Sequence, residues 1–196
     1  DSGLSSLMRM GEQFFLGQRT GIPTMQEVSG FYPTASFVEA QRKRGIPWTV
    51  GNTANLCIGQ GDITVTPLQM AVMTAAIANG GTVYWPRLVM RLESWDPLNK
   101  LSGEVYPAGR VRGTLQVSAR NLKVLQDAML ADVEDREGTG SRAQTRNMRV
   151  CGKTGTAEVK QGSRLIRKDT WFVAYAPYES PRYAISVLVE AGASGG

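Results

Sequence analysis

One segment, Leu68 to Ala78, is apolar on almost every side, and it constrains the chain more than any other feature. Its start is written out in the sequence. Thr66 suits a helix N-cap, Pro67 suits the first helical position, and Gln69 can close a capping box. Gly80-Gly81 supplies the stop. Leu68, Met70, Ala71, Val72, Ala75, Ala76 and Ile77 run nearly all round the helix, so it belongs inside a domain and not on its rim. A chain of 196 residues, 42% hydrophobic and 20% charged, can bury such a helix within one domain or a large part of one.

The other elements follow from period and punctuation. Leu4 to Phe15 has helix-like apolar spacing that stops at Gly17, and Ser118 to about Glu134 places Leu122, Leu125, Met129, Leu130 and Val133 on one face. Gly138 and Gly140 end that second helix. Thr20 to Val50 has no sustained period and reads as a long surface excursion, with Arg42-Lys43-Arg44 in a solvated loop. Asn52 to Gly61 carries a Gly59-Gln60-Gly61 turn. Val83 to Leu92 reads as a short strand interrupted by Pro86, followed by turn chemistry at Asp96-Pro97. The last third changes character: Val150–Val159, Thr170–Ala176 and Tyr183–Glu190 are strands rich in β-branched and aromatic residues. A polar, basic loop, Lys160 to Lys168, separates the first two, and Pro177 to Pro181 turns between the second and third. Short connections favour antiparallel neighbours. The fold class is therefore α+β, helices followed by a three-strand antiparallel sheet.

Composition removes several chemistries. There is no histidine, so a Ser-His-Asp triad, His-based acid–base catalysis and a His-ligated metal site are excluded. Two separated cysteines, Cys57 and Cys151, cannot make a CxxC motif and read as buried free thiols. The net charge of +5 is spread along the chain without aromatic-basic interleaving, so nucleic acid is not an expected partner. No apolar run approaches the roughly 20 residues a membrane helix needs.

The chemistry concentrates in Cys151-Gly152-Lys153-Thr154-Gly155-Thr156-Ala157-Glu158. Gly152-Lys153-Thr154 is not the end of a phosphate-binding loop: position 147 is Asn147, not the required glycine, and a strand follows. A Lys-Thr-Gly strand is one of the signature triplets of penicillin-recognising serine enzymes. Lys153 places an ammonium where it favours an anionic substrate terminus. Thr154 alternates to the opposite face from Lys153 and Gly155. Gly155 lets a ligand backbone lie against the edge, and the Thr156 N–H can serve as an oxyanion donor. A Gly-rich edge strand with one lysine also protects a sheet from aggregation without any catalysis, so the triplet alone does not decide.

The surrounding blocks do. Ile58-Gly59-Gln60-Gly61, Val65 to Ala71, Ala78-Asn79-Gly80-Gly81, Cys151 to Glu158 and Thr170-Trp171-Phe172-Val173-Ala174-Tyr175-Ala176-Pro177 stand in one order. In that order they resemble class B penicillin-binding proteins, particularly the elongation type that cross-links side-wall peptidoglycan. The resemblance implies a D,D-transpeptidase that acts on peptidoglycan stem peptides through a serine acyl-enzyme, is inhibited by β-lactam antibiotics and uses no cofactor or metal. It implies an extracytoplasmic setting on the periplasmic face of a membrane-anchored parent, with a glycosyltransferase of the elongation machinery as partner. Carried over residue by residue, Lys153 and Thr154 bind the substrate carboxylate and Gly155 gives clearance. The Thr156 N–H donates to the oxyanion, and Glu158 is a further substrate-binding candidate. Trp171 reads as core packing.

The family's Ser-x-x-Lys and Ser-x-Asn motifs do not occur; Ser118 comes nearest the second, but Asn121 is three residues on and marks a helix cap. Residues 1–196 are therefore expected to be the C-terminal portion of one transpeptidase domain, without the upstream nucleophile region and the final helix. The chain alone is expected to form no acyl-enzyme. It is also expected to expose an apolar sheet face and to self-associate. The alternatives are a non-catalytic scaffold module that keeps the fold, or a β-lactamase or penicillin-sensor relative; the Thr66-Pro67-Leu68-Gln69 block argues against the relatives.

Overall fold

The computed structural model describes residues 2–22, 26–94, 103, 105–162 and 164–192. The elements run α1 (Ser2–Gln13), α2 (Ala35–Lys43), α3 (Val50–Cys57), α4 (Pro67–Ala78), β1 (Thr82–Tyr84), β2 (Val111–Thr114), α5 (Ala119–Glu134), β3 (Cys151–Gln161), β4 (Arg164–Ala176) and β5 (Tyr183–Val189). A short 3-10 turn, Ser141–Ala143, lies between α5 and β3. β3, β4 and β5 form an antiparallel sheet in that order, which leaves β3 as an edge strand. The α+β arrangement with a three-strand antiparallel sheet is as expected.

The central helix forms for the reasons its sequence gives. Thr66 Oγ1 accepts from the Gln69 N–H at 3.1 Å while Gln69 Oε1 accepts from the Thr66 N–H at 2.8 Å, with Pro67 opening the helix. Gly80, with φ +93, ends it. Gln69 is 3% exposed, and its Nε2 donates to the carbonyls of Gln18 (2.8 Å) and Ser29 (2.7 Å). One side chain thus caps α4 and pins two loop segments to it, every polar atom satisfied. Ile77 and Ala78 of α4 join Leu122, Met129 and Leu130 of α5 and Cys151, Val173 and Tyr175 of the sheet in the main core. A second cluster gathers Met8 of α1, Tyr32 and Leu56 of α3. Tyr32 crosses α1 at Gly11, where a Cβ would stand 2.1 Å from the ring, and its hydroxyl donates to the Leu7 carbonyl at 2.9 Å.

Several expectations need correction. Thr20 to Val50 contains the helix α2, capped by Thr34, whose side chain accepts from the Phe37 N–H. None of its residues is buried, so no apolar stripe announced it. Arg42 and Lys43 form its last turn, where cations complement the helix dipole, rather than a loop. Residues 50–57, before the Gly59-Gln60-Gly61 turn, are also helical, capped by a Thr49–Asn52 box. The strand expected over Val83–Leu92 is only Thr82–Tyr84; Pro86 follows, and Leu88, Met90 and Leu92 are exposed. Its partner β2 has too few apolar residues to be read as a strand. Lys160–Lys168 is largely ladder, with Glu158 opposite Lys168 and Gln161 opposite Arg164. Charged side chains on a solvated hairpin look like a loop in composition, and here they pair along the strand, Lys160 with Glu158 at 2.8 Å and Arg167 with Asp169 at 2.8 Å. Both cysteines are free, but Cys57, at the C-terminal end of α3, is exposed and only Cys151 is buried. The turn expected at Asp96-Pro97 falls outside the described residues.

Candidate active site

The free edge of β3 carries the Lys-Thr-Gly residues. In an antiparallel ladder both the N–H and the C=O of a residue point to the same side of the strand, and the side alternates along the chain. The Thr156 carbonyl and the Glu158 N–H both meet the Gln60 side chain off the edge, at 3.1 and 3.4 Å. Residues 154, 156 and 158 therefore aim their backbone outward, while Lys153, Gly155 and Ala157 bond β4, opposite Val173, Trp171 and Asp169. The Thr156 N–H lies on the open edge.

Lys153 is held by what surrounds it. Its Nζ donates to the Thr154 carbonyl at 3.0 Å and sits 3.5 Å from Thr154 Oγ1 and 3.8 Å from Asp132 Oδ1. The long stem bends round the edge, so ammonium and hydroxyl meet although the two side chains leave opposite faces of the strand. Thr154 Oγ1 and Thr139 Oγ1 are 2.5 Å apart, and Thr139 Oγ1 donates to Asp132 Oδ1 at 2.9 Å. Asp132 Oδ2 is buried with no hydrogen-bond partner among the described residues. A carboxylate near the end of α5 thus aims a chain of hydroxyls and an ammonium at one point of the edge.

The remaining candidates fall on either side of that point. At Gly155 a Cβ would meet only the Trp171 Cβ, at 3.5 Å, so this position is open. Trp171 itself is half-buried and lies outside the main buried cluster. Glu158 pairs with Lys160, whose ammonium holds the Glu158 carboxyl below its usual range. Cys151, one step before Gly152, is fully buried, and burial pushes its thiol up, so it is no nucleophile. Among the described residues no cluster of His, Cys, Asp and Glu could hold a metal ion.

The family pattern of the penicillin-binding protein transpeptidase domain matches residues 1–196. The chain belongs to that family. The peptidoglycan D,D-transpeptidase MrdA of Haemophilus influenzae is 34% identical over 212 residues, covering 99% of this chain and 30% of the relative. The solved penicillin-binding protein PBP2 of Helicobacter pylori superposes with a TM-score of 0.76 at 27% identity, over 98% of this chain and 32% of that one. PBP3 of Mycobacterium tuberculosis, solved in complex with ampicillin, gives 0.76 at 29% identity, over 93% of this chain and 39% of that one. The chain therefore spans 30 to 39% of the length of these relatives.

Three residues that contact this edge were not singled out from sequence: Asp132, Thr139 and the side chain of Gln60. Glycines flank two of them. Gly138 and Gly140 bracket Thr139, and the Gly140 N–H donates to the Asp132 carbonyl at 2.9 Å. Gly59 and Gly61, with φ +70 and +86, bracket Gln60. A polar residue between two glycines is a turn that aims a side chain, and that pattern was legible. Its target was not.

Proposed function

We propose that this chain supplies the substrate-binding edge of a serine D,D-transpeptidase that cross-links peptidoglycan stem peptides, the serine belonging to the same domain of a longer parent protein. The observation that carries the reading is the open run from Thr154 to Thr156 on β3, with the Lys153 ammonium and the Thr154 hydroxyl gathered at its start. A stem peptide lies antiparallel to β3, its terminal carboxylate on Lys153 and Thr154. The carbonyl to be attacked then faces the Thr156 N–H, which stabilises the oxyanion. Gly155 lets the peptide backbone approach. The serine hydroxyl adds to that carbonyl and its proton leaves with the departing amine; an acceptor amine then takes the acyl group and restores the hydroxyl. Glu158, paired to Lys160, borders this run.

The same geometry accommodates a β-lactam, whose carboxylate takes the place of the peptide terminus, and the PBP3 relative was solved with ampicillin bound. The parent acts outside the cytoplasm, at the periplasmic face of the membrane, with a glycosyltransferase of the elongation machinery. The test is intact-mass detection of penicillin on the full-length parent and on this chain alone. One adduct on the parent and none on the chain is the expected result. An adduct on the chain alone, or none on the parent, overturns the reading, and the second outcome leaves a scaffold with the same fold.

A further inference from the structure

Gln60 is placed with more care than a loop residue needs. α3 ends in a Schellman motif: the Gly59 N–H donates to the Leu56 carbonyl at 3.2 Å and the Gln60 N–H to the Asn55 carbonyl at 2.8 Å. Gly59 has φ +70, which only glycine adopts freely. Gly61 has φ +86, and a Cβ there would stand 3.2 Å from the Asn55 Cβ. The turn is thus fixed on both sides of a half-buried glutamine. Its carboxamide has the donor and acceptor of a peptide unit, and it uses both on β3: Nε2 donates to the Thr156 carbonyl at 3.1 Å, and Oε1 lies 3.4 Å from the Glu158 nitrogen.

Hydrogen-bonded positions on an antiparallel edge recur every second residue. A ligand strand lying on β3 would pair at 154, at 156 and then at 158. Gln60 takes the Thr156 carbonyl and the Glu158 N–H, which leaves the Thr156 N–H as the last free group of that run. We propose that Gln60 is a positioning residue that closes the pairing edge from the Thr156 carbonyl onward, so that a bound peptide leaves the strand beyond the Thr156 N–H and its residues further toward the N-terminus gain nothing from β3. This rests on the reading of β3 as the substrate edge. It makes Gln60 a determinant of how many ligand residues the enzyme reads, separate from the groups that hold the carboxylate.

The test uses the full-length parent, wild type and Gln60→Met. Methionine fills a similar volume without a strong donor or acceptor. The probes are peptides ending in D-alanyl-D-alanine, one long enough to reach Glu158 and one two residues shorter. In the wild type the two have KM values within about twofold. In Gln60→Met the long peptide gains a pairing position, and its KM relative to the short one falls about three- to tenfold, as one or two net hydrogen bonds allow. A general loss of activity or stability cancels in that ratio. A ratio unchanged by the substitution overturns the proposal, as does a wild type that already favours the long peptide tenfold. Penicillin acylation of the wild-type parent separates the two readings. If it takes no adduct, the function fails; if it does and the ratio stays flat, only the role of Gln60 fails.

Discussion

Two glycines three residues apart on β3 should respond to the same substitution with opposite signs. Gly155→Ala adds a methyl group whose nearest neighbour is the Trp171 Cβ at 3.5 Å, an ordinary contact. The Gly155 backbone is not in the left-handed region, so alanine fits and the unfolded chain loses freedom, which stabilises by about 0.4–1 kcal/mol. Gly152→Ala puts the same methyl 2.5 Å from the tip of the Phe172 ring and 3.2 Å from Val133 Cγ2, at a buried position. Overpacking costs about 1–3 kcal/mol, offset in part by the same entropic gain, for a net loss of about 1–2 kcal/mol. For a chain of 196 residues about 2–4 °C accompanies each kcal/mol. Thermal unfolding followed by circular dichroism should thus show Gly155→Ala up by about 1–4 °C and Gly152→Ala down by about 2–8 °C. In the full-length parent Gly155→Ala should still slow penicillin acylation by about tenfold, because the methyl stands where the ligand approaches, about 1.4 kcal/mol of lost contact. A destabilised Gly155→Ala would refute the packing of β3 on β4. A stable variant with unchanged acylation would refute close ligand approach at this residue.

Lys153→Met in the parent should lower penicillin acylation by about 10- to 100-fold, the worth of a charge-assisted hydrogen bond, with little change in melting because the side chain is exposed; equal loss of both would make Lys153 structural. Native chain treated with a maleimide should label one thiol, the exposed Cys57, and Cys151 only after unfolding, as intact mass would show. Glu134 is gripped by Arg149 through two 2.8 Å bonds that hold its carboxyl below the usual 4.5. A depressed carboxylate contributes stability above pH 4.5 that is lost as pH falls through the lower folded value. Glu134→Gln should therefore be less stable than wild type near neutrality, the gap closing below that pH, in urea titrations run across pH; a gap that persists in acid would remove Arg149 as the cause. The isolated chain should self-associate in light scattering through the outer face of β5, where Tyr183, Ile185, Val187 and Val189 are 61, 50, 46 and 52% exposed. Ile185→Lys with Val187→Lys should shift it toward monomer, and a wild type that is already monodisperse and monomeric contradicts this.

What could be read from sequence divides along physical lines. α4 carried its own start, face and stop, so Thr66, Pro67, Gln69 and Gly80 fixed it without help from the rest of the fold. α5 and the sheet were likewise legible from Leu122, Met129 and Val133 at helical spacing and from β-branched runs. α2 and α3 were not, because neither buries an apolar stripe; their ends rest on local hydrogen bonds from Thr34 and Thr49 and on glycines at Gly45 and Gly59. The β3–β4 hairpin was hidden for a related reason. Its outer half is held by backbone ladder and by ion pairs such as Lys160–Glu158 and Arg167–Asp169 rather than by apolar alternation.

The site was legible where its chemistry is contiguous and illegible where it is assembled. Lys153 to Glu158 could be read because a strand spaces them by itself. Asp132, Thr139 and Gln60 come from a helix end and two glycine-bracketed turns, and only packing brings them to β3. Their roles are complementary. The chain from Asp132 through Thr139 to Thr154 anchors the start of the edge, and Gln60 closes it at Thr156 and Glu158. Between those two supports Gly155 is left without a side chain, and on its two sides the Thr154 and Thr156 N–H groups face the open edge while their carbonyls are held by Lys153 and Gln60. An edge strand of Lys, Thr and Gly would protect a sheet equally well without such supports. That both ends of one short open run are held by side chains from elsewhere in the fold is what favours the proposed binding edge over a merely protected one.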